Sequence, residues 1–72
     1  MPFITIDVLR EDISREKKQE LIQKVSEVIT IVLNKDPHLT HIIINEIDND
    51  NWGYAGEQVS VLKEQGFSTE KK

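Results

Sequence analysis

The sequence of 72 residues has no cysteine, three glycines and two prolines. Without cysteine it can hold neither a disulfide framework nor a thiolate nucleophile, and a zinc site built on thiolates is excluded. Its apolar runs stay well short of the ~20 residues that a helix needs to cross a bilayer. The first residues also lack the charged and apolar segments of a secretory signal. We therefore expect a cytoplasmic protein that does not contact a membrane.

Basic residues are also few, with nine Lys and Arg against 13 Asp and Glu. They are scattered along the chain rather than gathered in a stripe, so nucleic-acid binding is not expected. Asp48–Asn51 begins like a calcium loop, but Trp52 stands where an oxygen ligand is needed and Val59 where the closing glutamate belongs. His38 and His41 have no evident third ligand. Neither a metal nor another cofactor is expected.

Regular spacing of apolar residues predicts two strands and one helix. Phe3–Val8 alternates between apolar and polar residues, which is typical of a strand. The next apolar residues recur at helical spacing up to Leu33, with Ser14 as the N-cap and Asn34 in the left-handed position after the last turn. His41–Ile47 predicts the second strand, and its three consecutive isoleucines indicate burial on both faces. The predicted fold is α+β, a βαβ unit with parallel strands and short connections.

This predicted unit is too small to be stable by itself. The chain forms one domain over residues 1–72, and a domain of this length buries only ~60% of the surface that its unfolded form exposes. A sheet of two strands is marginal in water, and both of its edges are free to pair. We therefore expect obligate self-association that extends the sheet.

The segment after the second strand carries turn signals. Gly53 and Gly56 predict a turn or hairpin. The apolar residues around and after it are expected to clasp a neighbouring subunit; they are Trp52, Tyr54, Val59 and Leu62. Residues 68–72 are expected to form a mobile tail.

Pro2 is the residue whose position suggests chemistry. If Met1 is removed, the Pro2 nitrogen becomes a secondary amine. In model peptides an α-amino group titrates near ~8, so the amine would be mostly protonated at neutral pH. Burial in apolar surroundings would lower its pKa and leave a usable general base. Met-Pro starts also occur without catalytic meaning, so position alone does not decide between the two interpretations.

Four segments together indicate a family. "PFITIDV", "KKQELIQKVSEVI", "HIIINEI" and "NWGYAGE" occur in this order and spacing. The chain thereby resembles the 4-oxalocrotonate tautomerase family, the small amino-terminal-proline tautomerases, over about residues 2 to 60. The conjunction of a proline start, a βαβ unit of this length and an aromatic-glycine turn carries the resemblance, since no single motif is specific.

The resemblance implies an isomerase without a cofactor. Met1 would be removed, and the Pro2 amine would carry a proton between oxygen and carbon of a small enol or 2-keto acid. Two chains would join their βαβ units into a four-stranded sheet with two helices. A homo-hexamer built as a trimer of dimers is the favoured assembly, and a dimer is the alternative.

The resemblance also indicates substrate-binding residues. Trp52 matches an aromatic residue that shields the base from water. The best-studied members of the family bind a dicarboxylate with two arginines; Ile13 aligns with the first, and Arg10 is the favoured substitute, with Arg15 a weaker choice. His41 stands at the second position. Histidine is mostly neutral at pH 7 and donates at one point. A 2-hydroxydienoate or an enolpyruvate with one carboxylate is therefore the expected substrate.

Two other functions stay open at this point. Pro2 can serve an amino-terminal-proline hydratase or dehalogenase, which needs an extra carboxylate to activate water; Glu46 and Asp7 are available. Alternatively, the Met-Pro start is accidental and the chain is a non-enzymatic oligomeric interaction module.

Overall fold

A computed structural model of the chain describes residues 1–67, so the tail expected at 68–72 lies outside the described residues. Strand β1 (Phe3–Leu9) pairs in parallel with β2 (His41–Ile47), from Phe3 opposite His41 to Leu9 opposite Ile47, which confirms the βαβ unit. Within residues 1–67, neither helix is long and apolar enough to cross a bilayer. The elements in chain order are β1 (Phe3–Leu9), α1 (Arg15–Leu33), a 3₁₀ helix (Pro37–Leu39), β2 (His41–Ile47), a second 3₁₀ helix (Asn49–Asn51), β3 (Gly53–Tyr54), β4 (Glu57–Gln58) and α2 (Val59–Glu64).

Helix α1 begins and ends at the residues that the sequence predicts. The Ser14 hydroxyl accepts a hydrogen bond from the backbone N–H of Lys17 at 3.1 Å. At the other end, Asn34 takes the left-handed conformation with φ 54° and ψ 49°. On the exposed side of the helix, the hydrogen bond from Lys24 at 2.8 Å lowers the pKa of Glu20, and the same bond raises the pKa of Lys24.

Helix α1 covers one face of the sheet. An ion pair of 2.9 Å between Lys18 Nζ and Glu46 Oε1 joins the helix to this face. Alternate residues along both strands are half-buried and lie on this face; they are Ile4, Ile6, Val8, Ile42, Ile44 and Glu46. The last residues of the two strands, Leu9 and Ile47, are also half-buried. The other face, which we call the open face, consists of Phe3, Thr5, Asp7, His41, Ile43 and Asn45, all exposed. Ile43 is 43% exposed. The predicted burial of the three isoleucines on both faces of the sheet therefore does not occur within one chain.

The single chain buries very little. Among residues 1–67, only the side chain of Val59 is fully buried, at 2% exposure. Val59 therefore packs within its own chain, and the prediction that it clasps a neighbour is wrong. Helix α2, which it begins, was not predicted, because six residues are too few for a helical period to stand out. Large apolar side chains left exposed are Met1, Phe3, Leu21, Val28, Ile31, Val32, Leu33, Leu39, Ile43, Tyr54 and Phe67.

The predicted hairpin is present, and its turn is strained. Strands β3 and β4 pair antiparallel with Tyr54 opposite Glu57, which leaves a loop of two residues. Both loop residues have positive φ, 53° at Ala55 and 81° at Gly56. This combination defines a type I′ turn, which favours Asn-Gly. A left-handed conformation costs alanine roughly 1 kcal/mol because its Cβ approaches the following carbonyl oxygen.

Ala55→Asn is expected to stabilise the protein by about 0.5–1 kcal/mol, because asparagine tolerates the left-handed region. The free energy of unfolding in urea, measured at one fixed protein concentration, checks this result. Ala55→Val is the control, since a β-branched residue fits this region poorly and should destabilise. An unchanged midpoint for Ala55→Asn would show that the turn is not strained.

Candidate active site

Pro2 lies at the start of the sheet, immediately before β1. Its side chain is half-buried, whereas Met1 is 81% exposed. Pro2 has no N–H to donate, but its carbonyl accepts a hydrogen bond from the backbone N–H of His41 at 3.0 Å. The rings of Phe3 and His41 stack on the open face, with 6.0 Å between centroids and 9° between planes. Pro2 and His41 therefore share one end of the sheet.

Arg10 lies at the opposite end of the sheet, immediately after β1. Its backbone N–H donates to the carbonyl of Ile47 at 2.9 Å, and its guanidinium Nη2 donates weakly to the carbonyl of Glu46 at 3.5 Å. At ~3.3 Å per residue, the extended chain between Pro2 and Arg10 spans about 26 Å. A small enol or 2-keto acid cannot touch both residues of one chain.

Trp52 belongs to the same end as Arg10, because β2 runs parallel to β1 and Trp52 follows it after one 3₁₀ helix. Its side chain is half-buried. Its carbonyl accepts a hydrogen bond of 2.9 Å from the backbone N–H of Val59, where α2 begins. The Gln58 side chain donates to the carbonyl of Asp50 at 2.9 Å and closes the same turn.

The predicted site residues thus form two groups at opposite ends of one chain. Pro2 and His41 are together, and Arg10 and Trp52 lie at the other end. Arg15, the weaker candidate for binding a carboxylate, is exposed in the first turn of α1 and also follows the Arg10 end of β1. One complete site therefore needs residues from two chains, if all of these residues serve it.

The two carboxylates considered for activating water are each held by a neighbour. Asp7 Oδ1, on the open face, accepts a hydrogen bond from Asn45 Nδ2 at 2.9 Å. Glu46 pairs with Lys18 on the face that α1 covers. Within residues 1–67, no cluster of three or more His, Asp or Glu side chains is arranged to hold a metal ion.

One ion pair near Arg10 was not foreseen. Lys63 Nζ on α2 lies 3.3 Å from Glu11 Oε1, and the two side chains are 33% and 30% exposed. The residues are 52 positions apart, so no local spacing connects them. The sequence would have indicated this pair only through a predicted helix α2 whose lysine end faces the loop after β1.

A comparison with family models decides the family. The model described as "Tautomerase enzyme" matches residues 2–62. The chain belongs to the tautomerase family. The resemblance found in the sequence is thereby confirmed, and membership indicates an isomerase with tautomerase activity.

Relatives and solved structures agree with tautomerase membership. The chain is 37% identical to "Probable tautomerase K2" of Dickeya dadantii, over 90% of this chain and 97% of the relative. The crystal structure of DmpI from Helicobacter pylori has a TM-score of 0.81 at 40% identity, covering 88% of this chain and 97% of that one. A heterohexamer 4-oxalocrotonate tautomerase from Chloroflexus aurantiacus shares the fold, with a TM-score of 0.79 at 24% identity and coverage of 86% and 98%.

Proposed function

We propose that the chain is a keto-enol tautomerase in which the Pro2 amine, after removal of Met1, is the general base. The observation that carries the proposal is the placement of Pro2, half-buried at the start of β1 and at the first residue of the family match. A tertiary amide has neither basicity nor a free lone pair, so the reaction requires the processed chain. The exposure of Met1 leaves the bond to Pro2 accessible.

The reaction moves one proton and consumes nothing. The amine takes the proton from the 2-hydroxyl group of a 2-hydroxydienoate or enolpyruvate, and the oxygen keeps its electrons as the carbonyl forms. In an enolpyruvate, the electrons of the C2=C3 double bond form the new C–H bond at C3 with the proton that the amine releases. In a 2-hydroxydienoate those electrons move to C3=C4, and the electrons of C4=C5 form the new C–H bond at C5. A base with a pKa near neutrality serves both steps, because it accepts and releases the proton at similar cost.

The substrate is proposed to bind between two chains. Among residues 1–67, β1 pairs with β2 alone and leaves its other edge open, and a two-fold axis would pair this edge antiparallel with β1 of a second copy. The Arg10 end of one strand then meets the Pro2 end of the other. The exposed apolar side chains of α1 and the open face support such an assembly, since patches of this kind mark interaction surfaces. Dimers that stack further into a homo-hexamer are the proposed complete form.

The residues offered to the substrate favour a single carboxylate. Arg10 supplies a guanidinium that can bind a carboxylate with two parallel hydrogen bonds. His41 is an imidazole that donates at one point, and its ring lies flat against Phe3. The stacked pair presents an apolar surface beside Pro2. We therefore propose an enolpyruvate or 2-hydroxydienoate with one carboxylate and an apolar end.

A nitrogen NMR titration of Pro2 labelled with ¹⁵N tests the base directly. In the processed protein the pKa of the amine is expected below the ~8 of a free α-amino group, because partial burial disfavours the ammonium form. The same protein unfolded in urea is the control and should titrate at the ordinary value. An unshifted pKa in the folded protein would contradict base catalysis. Retention of Met1 in protein taken from cells would instead favour a non-enzymatic module.

A hydratase or dehalogenase is the less favoured function. It needs a carboxylate free to activate water, and Asp7 and Glu46 each have a partner within their own chain. Release of chloride from a halogenated acrylate is the assay that would support it.

A further inference from the structure

Helix α2 connects Trp52 to the loop that holds Arg10, at the end of the sheet where both residues lie. Its first residue, Val59, is the fully buried one, and the N–H of Val59 donates to the carbonyl of Trp52. Lys63 follows one helical turn later and therefore lies on the same side of the helix. Lys63 binds Glu11, which is the chain neighbour of Arg10. One end of this short helix is thus fixed to Trp52 and the other to the residue beside Arg10.

The pair between Glu11 and Lys63 is more enclosed than the two ion pairs formed within α1, and about as enclosed as the pair between Lys18 and Glu46. About one third of each side chain is exposed, whereas Lys24 and Glu20 are 70% and 48% exposed. Ion pairs are screened less as water is removed from around them, so the enclosed pair holds its geometry better. The loop that it fastens is tightly turned, because Asp12 has a positive φ of 57°.

In the part of the chain that the structure describes, residues 1–67, no strand pairing fixes the loop after β1 to the turn that holds Trp52. The β1–β2 ladder ends at Leu9 and Ile47, and Arg10 adds one further backbone bond to Ile47. Beyond this point the loop after β1 and the turn that holds Trp52 are separate segments. The distance between Arg10 and Trp52 therefore depends on what joins the loop to α2.

We infer that the ion pair between Glu11 and Lys63 is a positioning device for substrate binding, an inference that rests on the proposed function. It keeps the guanidinium of Arg10 and the ring of Trp52 at a fixed separation, so that one binds the carboxylate while the other covers the substrate. The Pro2 amine that acts on this substrate belongs to the two-fold partner, and that chain's own backbone bond between His41 and Pro2 holds it in place without the ion pair. Loss of the pair therefore weakens substrate binding and leaves the proton-transfer step at Pro2 unaffected.

Steady-state kinetics with phenylenolpyruvate, an enolpyruvate with one carboxylate, test the inference. Lys63→Gln and Glu11→Gln are each expected to raise KM about threefold to fivefold, since a partly enclosed ion pair contributes modestly to binding geometry. The same variants should keep kcat within about twofold of the parent. The exchanged double variant, Glu11→Lys with Lys63→Glu, should restore KM. Glu20→Gln, which removes the exposed partner of Lys24, is the matched control and should change neither constant.

Fluorescence gives a second readout that does not depend on turnover, because Trp52 is the sole tryptophan of the chain. Acrylamide should quench Trp52 more strongly in both single variants, and quenching should return to the parent value in the exchanged double variant.

Unchanged KM and unchanged quenching in both single variants would overturn the inference, as would a fall in kcat at constant KM. If the circular dichroism of Lys63→Gln shows a loss of helix, the test uses Glu11→Gln instead. Full activity of Pro2→Ala would overturn the proposed function but not the inference about Glu11 and Lys63. Acrylamide quenching of Trp52 would still test that inference.

Discussion

Replacing Pro2 by alanine is expected to lower kcat for phenylenolpyruvate by ~100-fold or more, because a positioned general base contributes ~100- to 10,000-fold to proton transfer. The ring of proline fixes the direction of the nitrogen lone pair, whereas the primary amine of alanine rotates freely. The fold should persist, because alanine keeps the carbonyl that accepts the hydrogen bond from His41. Loss of kcat with unchanged circular dichroism is the expected result.

A blocked form of the same protein is the control for this prediction. An extra residue inserted between Met1 and Pro2 keeps the proline nitrogen in a peptide bond, as an amide, whether or not Met1 is removed. This form should be as inactive as Pro2→Ala, or more so, since an amide cannot accept the proton. Full tautomerase activity in either form, with mass spectrometry confirming its amino terminus, would refute the role of Pro2.

Mixing two inactive variants is expected to restore activity. If each site takes Pro2 from one chain and Arg10 from its two-fold partner, a hybrid of Pro2→Ala with Arg10→Ala has one site that carries both defects and one intact site. Random re-association after mild denaturation should then recover about a quarter of the parent activity, as half of the dimers are hybrids with one working site each. The measurement is activity per chain against the mixing ratio, with its maximum at equal amounts.

The alternative geometry gives a different result in the same experiment. If Pro2 and Arg10 of one chain served the same site, every site in every hybrid would keep one defect. No mixture would then exceed the activity of the better variant. Mixing Pro2→Ala with Pro2→Ala carrying Glu20→Gln is the matched control for re-association, and it should stay inactive at all ratios.

The elements that the sequence predicts well are those with long periodic patterns and local caps. β1 alternates between apolar and polar residues, β2 carries a run of three isoleucines, and Ser14 and Asn34 mark the ends of α1 by chemistry that acts within a few residues. Helix α2 has six residues and no side-chain cap, so neither signal was available. The exposure of Ile43 had a different cause: a run of isoleucines indicates where burial is needed and does not say which chain provides it.

The sequence names candidate site residues but does not indicate their arrangement. Pro2, Arg10, His41 and Trp52 came from chain order and resemblance, which carry no distances. In a parallel pair, both strands begin at one end of the sheet and finish at the other. Pro2 and His41 therefore lie at one end, and Arg10 and Trp52 lie at the other. The contact between Glu11 and Lys63 depends on how α2 turns back after the hairpin, which is set by tertiary packing around Val59.

The separation of Pro2 and Arg10 along β1 has an evolutionary consequence. If two copies of the gene coexisted, one could lose its proline and the other its arginine without abolishing catalysis, provided that the two products associate. Each would then be inert by itself, and selection would preserve both. The separation of about 26 Å between Pro2 and Arg10 would in this way turn a self-sufficient enzyme into an obligate partnership of specialised chains.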